Sequence, residues 1–228
     1  VSEPELQSAA EAREFLALYK ELVQYVGASE CDMEQGSLRC DVNVSVRRPG
    51  AALGTKVELK NLNSFAHVEA AIEAELARQC AAVERGEPVA QETRQYDPET
   101  GRTRALRGKE AARDYRYFPE PDLPPLCVTR ELLERERAAI PELPVARRRR
   151  YAAELGLSSY DASVLTSSRA LADFFEATAR LSGAPKEAAN WLANDVLAHL
   201  ADPARAGRSI DELPLKPHDL AELIDLVE

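Results

Sequence analysis

Between Ser37 and Arg47 apolar and polar residues alternate without a break. Leu38, Cys40, Val42, Val44 and Val46 interleave with Ser37, Arg39, Asp41, Asn43, Ser45 and Arg47. A period of two sends the two sets to opposite faces, so this segment predicts a half-buried strand. Pro49, Gly50 and Gly54 supply a connection. From Thr55 to Leu62, Lys56, Glu58 and Lys60 then alternate with Val57 and Leu59, which predicts a second strand paired with the first as a hairpin. Upstream, Ser8 with Glu11 three residues later has the form of a capping box. Phe15, Leu18, Leu22 and Val26 follow at spacings of three and four, predicting a helix that buries that face and stops at Gly27. Asn63 and Ser64 predict the cap of another helix, whose apolar series Phe65, Val68, Ile72, Leu76, Cys80 and Val83 runs to Gly86. A second hairpin is expected from Glu92–Tyr96 and Thr103–Arg107 around the turn DPETG. Helix, two strands, helix, two strands is an α+β order, with helices covering one face of a sheet.

From Asp122 the chain changes character. DLPPL is rigid and extended, and from Thr129 onward each apolar pattern is helical, punctuated by Pro141, Pro144, Gly156, Gly183, Gly207 and Pro217. A boundary near Leu126 is expected, with residues 1–126 as one domain and 127–228 as a bundle of short helices. The chain opens at Val1 without a methionine, and the pattern from Asp219 to Glu228 is still periodic where it stops. Both ends predict a piece of a longer protein.

Composition narrows the classes. With 228 residues, 45% of them hydrophobic, a sizeable core is within reach. No apolar run approaches the roughly eighteen residues needed to span a bilayer, so no membrane is expected. The four cysteines, Cys31, Cys40, Cys80 and Cys127, show neither C-x-x-C nor zinc spacing and read as reduced thiols. A net charge of −10 excludes binding of nucleic acid by general basicity, so any RNA contact must be local. The one dense basic run, Arg147, Arg148, Arg149 and Arg150, reads either as a solvated helix face or as a tRNA-backbone contact. His67, His199 and His218 lie on separate helical patterns, and no triad is readable.

Side chains two apart on a strand share a face, which joins Arg39, Asp41, Asn43 and Ser45 on the first strand and Lys56, Glu58 and Lys60 on the second. Two carboxylates among cations and an amide suit Mg²⁺, which takes one or two carboxylates with water and phosphate oxygens, and suit a phosphoryl group in transfer. Hydrated cross-strand ion pairs are the plainer reading of the same pattern. Asp41 and Asn43 in mid-strand point away from it, since both types are depleted in strands. A second candidate is DYRYFPEPD, where Arg116 and Tyr117 suit stacking on a base or gripping a phosphate. The alternative there is a plug that packs Tyr115 and Phe118 at the domain seam.

Seven ordered strings, VSEPEL, MEQGSLRCDVNVSVR, KVELKNLNSF, QETRQYD, DYRYFPEPDLPPL, IPELP and NWLANDV, resemble the B subunits of the aspartyl/glutamyl-tRNA amidotransferases along the whole chain. The resemblance implies the second half of a cradle related to glutamine synthetase and guanidino kinases over 1–126. An all-α helical domain would follow over 127–228, with the first cradle half and a C-terminal tail domain absent. It implies an ATP-dependent carbon–nitrogen ligase with glutamine as amido donor. Such a protein uses ATP and Mg²⁺ to activate the side-chain carboxylate of Glu-tRNA(Gln) or Asp-tRNA(Asn). It works with an amidase subunit that supplies ammonia, with a small third subunit and with misacylated tRNA, in the cytoplasm or an organellar matrix. Asp41 and Glu58 match acidic positions of the metal-lined site, and Arg39, Asn43 and Lys60 would orient ATP or the acyl phosphate. With half of the cradle absent, this length alone is expected to be inactive. A non-catalytic tRNA-binding or complex-scaffolding fragment is the alternative.

Overall fold

The computed structural model of the chain describes residues 2–106, 121–202 and 209–227. The chain divides into two compact units, residues 1–20 with 29–133 and residues 21–28 with 134–228.

The first unit holds most of helix α1 (Ala9–Tyr25), strands β1 (Cys40–Val44) and β2 (Val57–Leu62), helix α2 (Phe65–Glu84), and strands β3 (Thr93–Asp97) and β4 (Arg102–Ala105). The four strands form one sheet in the order β1-β2-β3-β4. Both expected hairpins are present as antiparallel pairs, and β2 and β3 join them in parallel. Parallel neighbours need a long crossover, and α2 provides it. Mixed helix and sheet of this kind is the α+β class that the periodicities predicted. In the β1–β2 connection Gly54 lies so close to the Val46 carbonyl that any Cβ would collide with it.

The inner face of the sheet carries Val44, Val57, Leu59 and Leu62, which pack on Val68, Ala71 and Ile72 of α2 and on Ala9 of α1. Ser64 caps α2 by accepting the His67 N–H at 3.1 Å. At the start of α1, Ser8 Oγ accepts the Glu11 N–H, while the Glu11 carboxylate reaches the Gln7 N–H. That is a capping box displaced by one residue.

Helix α1 buries a different face from the one expected, while α2 buries Val68 and Ile72 as expected with its buried stripe rotated away from Cys80. Along α1 and just beyond it, Phe15, Leu18, Leu22 and Val26 stay exposed, and the packed side is the slimmer series Ala9, Ala12 and Leu16. In α2 the buried face runs Val68, Ala71, Ile72, Glu75, Gln79 and Ala82, leaving Cys80 exposed. Charge explains that rotation. The fully buried Glu75 carboxylate accepts from Arg78 Nη2 at 2.6 Å, Gln79 Nε2 at 2.8 Å and Thr103 Oγ1 at 2.8 Å, with Arg94 Nε at 3.5 Å.

The second unit contains the last turn of α1 together with α4 (Pro144–Glu154), α5 (Ser159–Leu165), α6 (Arg169–Ser182), α7 (Pro185–Trp191), α8 (Leu197–Leu200) and α9 (Pro217–Val227). Helix α3 (Arg130–Ala139) precedes α4, a π-helical turn (Leu192–Val196) joins α7 to α8, and a 3₁₀ turn (Ile210–Glu212) precedes α9. Prolines open α4, α7 and α9, where a missing N–H costs nothing, and Gly183 ends α6 in the left-handed region at φ +68°. The core joins Tyr151, Leu165, Phe175, Leu192, Leu220 and Ile224. Among the described residues no helix is long and apolar enough to cross a membrane.

The Glu75 network makes stability pH-dependent. Burial alone would raise its carboxyl, but hydrogen bonds from Arg78, Gln79 and Thr103 outweigh that and hold it below the ordinary 4.5. A depressed carboxylate contributes stability that is complete above its unfolded value and is lost as pH falls through the lower folded one. Urea titrations across pH 2–7 should therefore show a declining midpoint in acid. Glu75→Gln should cost about 3 kcal/mol at neutral pH by stranding its cations, and should flatten the acid limb. An unchanged limb in the variant would assign the decline to other carboxylates.

Candidate functional site

The outward face of the sheet is set by one irregularity. The register pairs Val44 with Val57, Asn43 with Glu58 and Val42 with Leu59, then jumps to Cys40 with Leu62. Lys60 and Asn61 together oppose Asp41, which is a β-bulge, and Asn61 accommodates it at φ +60°. Asparagine tolerates this left-handed conformation better than most residues. The extra residue resets the alternation, so that Leu62 returns to the core while Lys60 stays outward beside Glu58.

Four of the expected site residues come together there. Asp41 and Asn43 project from β1, Glu58 and Lys60 from β2. The Lys60 ammonium lies 3.3 Å from Glu58 Oε1 and 3.6 Å from Asp41 Oδ2, bridging the two carboxylates. Its hydrogen bond with Glu58, followed by the Asp41 charge, raises the Lys60 pKa above the ordinary amine value. Arg39 stands one residue before β1 and is exposed, without an ion pair among the described residues. On β3, Thr93 lies opposite Glu58, and its Oγ1 donates to Glu58 Oε2 at 2.9 Å. The segment 107–120, which carries Arg116 and Tyr117, lies outside the described residues.

Exposed ion pairs such as these contribute at most about 1 kcal/mol. Stability therefore gives little reason for a carboxylate–ammonium–carboxylate row on an open sheet face. Its chemistry does: the row already attracts a cation between two carboxylates. Among the described residues no three His, Cys, Asp or Glu side chains converge on a metal position. Mg²⁺ needs only one or two protein carboxylates, the remaining positions being taken by water and phosphate oxygens, so Asp41 and Glu58 fit its requirements. Lys60, Asn43 and Arg39 add donors suited to phosphate oxygens.

Thr93 and the Asn61 bulge are the two features of this site that periodicity missed. The strand–helix–strand order of β2, α2 and β3 was the available signal for Thr93, because it permits parallel pairing of the flanking strands.

The arginine run occupies a separate place, on α4 in the second unit. Arg147 is buried, with Nη2 2.5 Å from Asp173 Oδ1, Nε 3.4 Å from Glu176 and its guanidinium 5.7 Å from the Tyr25 ring centre. Burial would lower its pKa, but hydrogen bonds with Asp173 and Tyr25 carry it above the ordinary value. Arg148 pairs with Glu21 and donates to Thr166 Oγ1 at 2.9 Å. Arg150 donates to Glu142 and Glu176, each at 2.6 Å. Arg149 is exposed and forms no ion pair among the described residues.

Comparison with known proteins adds an independent line. The family described as "GatB/GatE catalytic domain" matches residues 1–134, more than half of the chain, and "GatB domain" matches residues 173–228. The aspartyl/glutamyl-tRNA(Asn/Gln) amidotransferase B subunit of Thermosynechococcus vestitus is 51% identical over 229 residues, covering 100% of this chain and 45% of the relative. The proteins of that name from Geotalea daltonii and Carboxydothermus hydrogenoformans are 51% and 48% identical over the whole chain, each with 47% of the relative covered. The chain thus spans about half the length of these relatives.

The contrast between neighbouring arginines is measurable. Arg147→Met keeps the apolar stem but leaves Asp173 and Glu176 short of a partner. It should cost about 2 kcal/mol in urea denaturation, below the 3–5 kcal/mol of a fully buried pair because Asp173 is half exposed. Arg149→Met should change stability by no more than about 0.5 kcal/mol. Equal effects at the two positions would remove the structural distinction between them.

Proposed function

We propose that this chain, which belongs to the GatB/GatE catalytic-domain family, supplies one wall of the ATP-dependent activation site of a glutamine-dependent tRNA amidotransferase. The observation that carries this reading is the Asp41–Lys60–Glu58 row on the open sheet face, inside the segment that matches the catalytic family. The names of the relatives support the substrate class, Glu-tRNA(Gln) or Asp-tRNA(Asn), and activation would fall on the side-chain carboxylate, the group that becomes the amide.

The chemistry explains what such a wall must do. A carboxylate is a poor acyl donor, because ammonia attacking it would have to expel an oxide. Transfer of the ATP γ-phosphoryl group to a carboxylate oxygen gives an acyl phosphate and ADP. Attack of the ammonia nitrogen on the acyl carbon then releases inorganic phosphate and leaves the amide. In-line phosphoryl transfer depends on positioning and charge neutralisation more than on covalent help from the protein. Asp41 and Glu58 would hold Mg²⁺, which when bound supplies charge neutralisation at the phosphate oxygens. Lys60, drawn from between the carboxylates, would direct its ammonium to a phosphate oxygen. The Asn43 amide and the Arg39 guanidinium would orient ATP or the acyl phosphate from the same face.

Further parts of the reading rest on the resemblance. Residues 1–126 would form the second half of a cradle and 127–228 a helical domain. Ammonia would come from an amidase subunit, with a small third subunit completing the complex in the cytoplasm or an organellar matrix. Arg116 and Tyr117 would contact the aminoacylated end. In the arginine run, Arg149 offers the readiest tRNA-phosphate contact, because Arg147, Arg148 and Arg150 are held by carboxylates within the unit. A single local contact of this kind agrees with the net charge of −10.

Asp41→Ala and Glu58→Ala, each in the full-length protein within its complex, should lower ATP-dependent amidation of Glu-tRNA by roughly 100-fold or more. Glutaminase activity and the melting temperature should hold, since an exposed pair contributes little to stability. Unchanged conversion of Glu-tRNA in both variants would sink the site assignment.

A further inference from the structure

We infer that Thr93 is a positioning residue for Glu58, fixing which carboxylate oxygen is offered to the cation. This rests on the metal-binding reading of Asp41 and Glu58 above and adds a residue to it. The two oxygens of Glu58 have different neighbours. Oε2 accepts the Thr93 hydroxyl at 2.9 Å, while Oε1 lies 3.3 Å from the Lys60 ammonium, which in turn is 3.6 Å from Asp41 Oδ2. Thr93 thus occupies one oxygen and leaves the other to the Lys60 ammonium, where the cation would sit.

The backbone makes this arrangement durable. β2 and β3 are parallel with Glu58 opposite Thr93, and the Glu58 N–H donates to the Glu92 carbonyl at 3.0 Å, so the two side chains are neighbours by main-chain pairing. Threonine in a strand is stiff about χ1, so its hydroxyl has few alternative directions. Glutamate has three side-chain torsions, and without an anchor its partly exposed carboxylate would lose rotamer entropy on binding a metal. One oxygen held by a hydroxyl and one presented singly suits the near-octahedral geometry that Mg²⁺ demands. Outer partners of this kind typically change metal affinity 10- to 100-fold when removed.

The test uses the full-length protein in its complex, with Mn²⁺ alone as the probe and water-proton relaxation as the readout. Thr93→Val, nearly isosteric but without a donor, should weaken Mn²⁺ binding by about 10- to 100-fold. Thr93→Ser should restore most of it. Glu58→Gln should weaken binding on its own account, and adding Thr93→Val to it should cause little further loss, because the hydroxyl acts through Glu58. If T93V destabilises the fold, the comparison of T93A with T93S carries the same information. Wild-type Mn²⁺ affinity in T93V alongside weakened binding in E58Q would overturn the positioning role and leave the metal reading standing. Full additivity of the two changes, or T93S as weak as T93V, would also overturn it. Wild-type affinity in E58Q would overturn the metal reading beneath it.

Discussion

A carboxylate withdrawn from water beneath the sheet organises the first unit. Glu75 is fully buried, and an isolated ion there would cost several kcal/mol, so the fold has to surround it with donors. It does so from three directions: Arg78 and Gln79 on its own helix, Thr103 on β4 and Arg94 on β3. Gln79 carries the linkage further, its amide donating to the Val44 carbonyl on β1 at 3.2 Å. One helix is therefore tied to both outer strands of the sheet. Because α2 is also the crossover between β2 and β3, whatever fixes it fixes their parallel pairing, and that pairing brings Thr93 beside Glu58.

The helical unit follows the same rule with the signs exchanged. Arg147 is the buried charge, and Asp173, Glu176 and Tyr25 surround it. Tyr151 donates to Glu176 at 2.8 Å and meets Phe175 edge-on at 5.0 Å between ring centres, so the network continues into the apolar core. Burial, together with the hydrogen bond to Glu176, pushes the Tyr151 hydroxyl well above its usual pKa and keeps it a neutral donor. Four consecutive arginines look alike in a charge count. A helix turns about 100° per residue, so successive side chains must face different surroundings, and here one is buried, two are half-buried and one is exposed.

This separates what the chain makes legible from what it does not. Strand alternation reports which face is apolar, and the sheet's inner row Val42, Val44, Val57 and Leu59 follows it directly. Helix caps are local chemistry, and Ser64 could be placed from its neighbours alone. Burial of a helix face depends on what lies opposite. In α1, Phe15 and Leu18 have the right spacing, yet the core of the first unit takes in the smaller Ala9 and Ala12. In α2, Glu75 and Gln79 violate the apolar rule at positions whose partners on the strands lie 28 and 35 residues away in the chain and are invisible to any local window. Asp41, Asn43, Glu58 and Lys60 were readable as one surface, because a period of two needs no distant partner. The place of Thr93 beside them required the crossover.

The bulge at Asn61 is where the two faces of the sheet are reconciled. Without it the pairing of Val42 with Leu59 would continue to Cys40 opposite Asn61, putting an amide in the core and Leu62 in water. Burying a side chain the size of Leu62 contributes about 2 kcal/mol, more than the cost of a left-handed asparagine, so the irregular register wins. The correction has to come after Lys60, for a shift one residue earlier would carry the ammonium off the face it shares with Asp41 and Glu58. It also has to come before Leu62, because Leu62 must be inward for the chain to enter α2 beneath the sheet. Between those limits only Asn61 remains. Asparagine adopts positive φ with less strain than most residues, and Asn61 thereby keeps the core closed and the outward row intact.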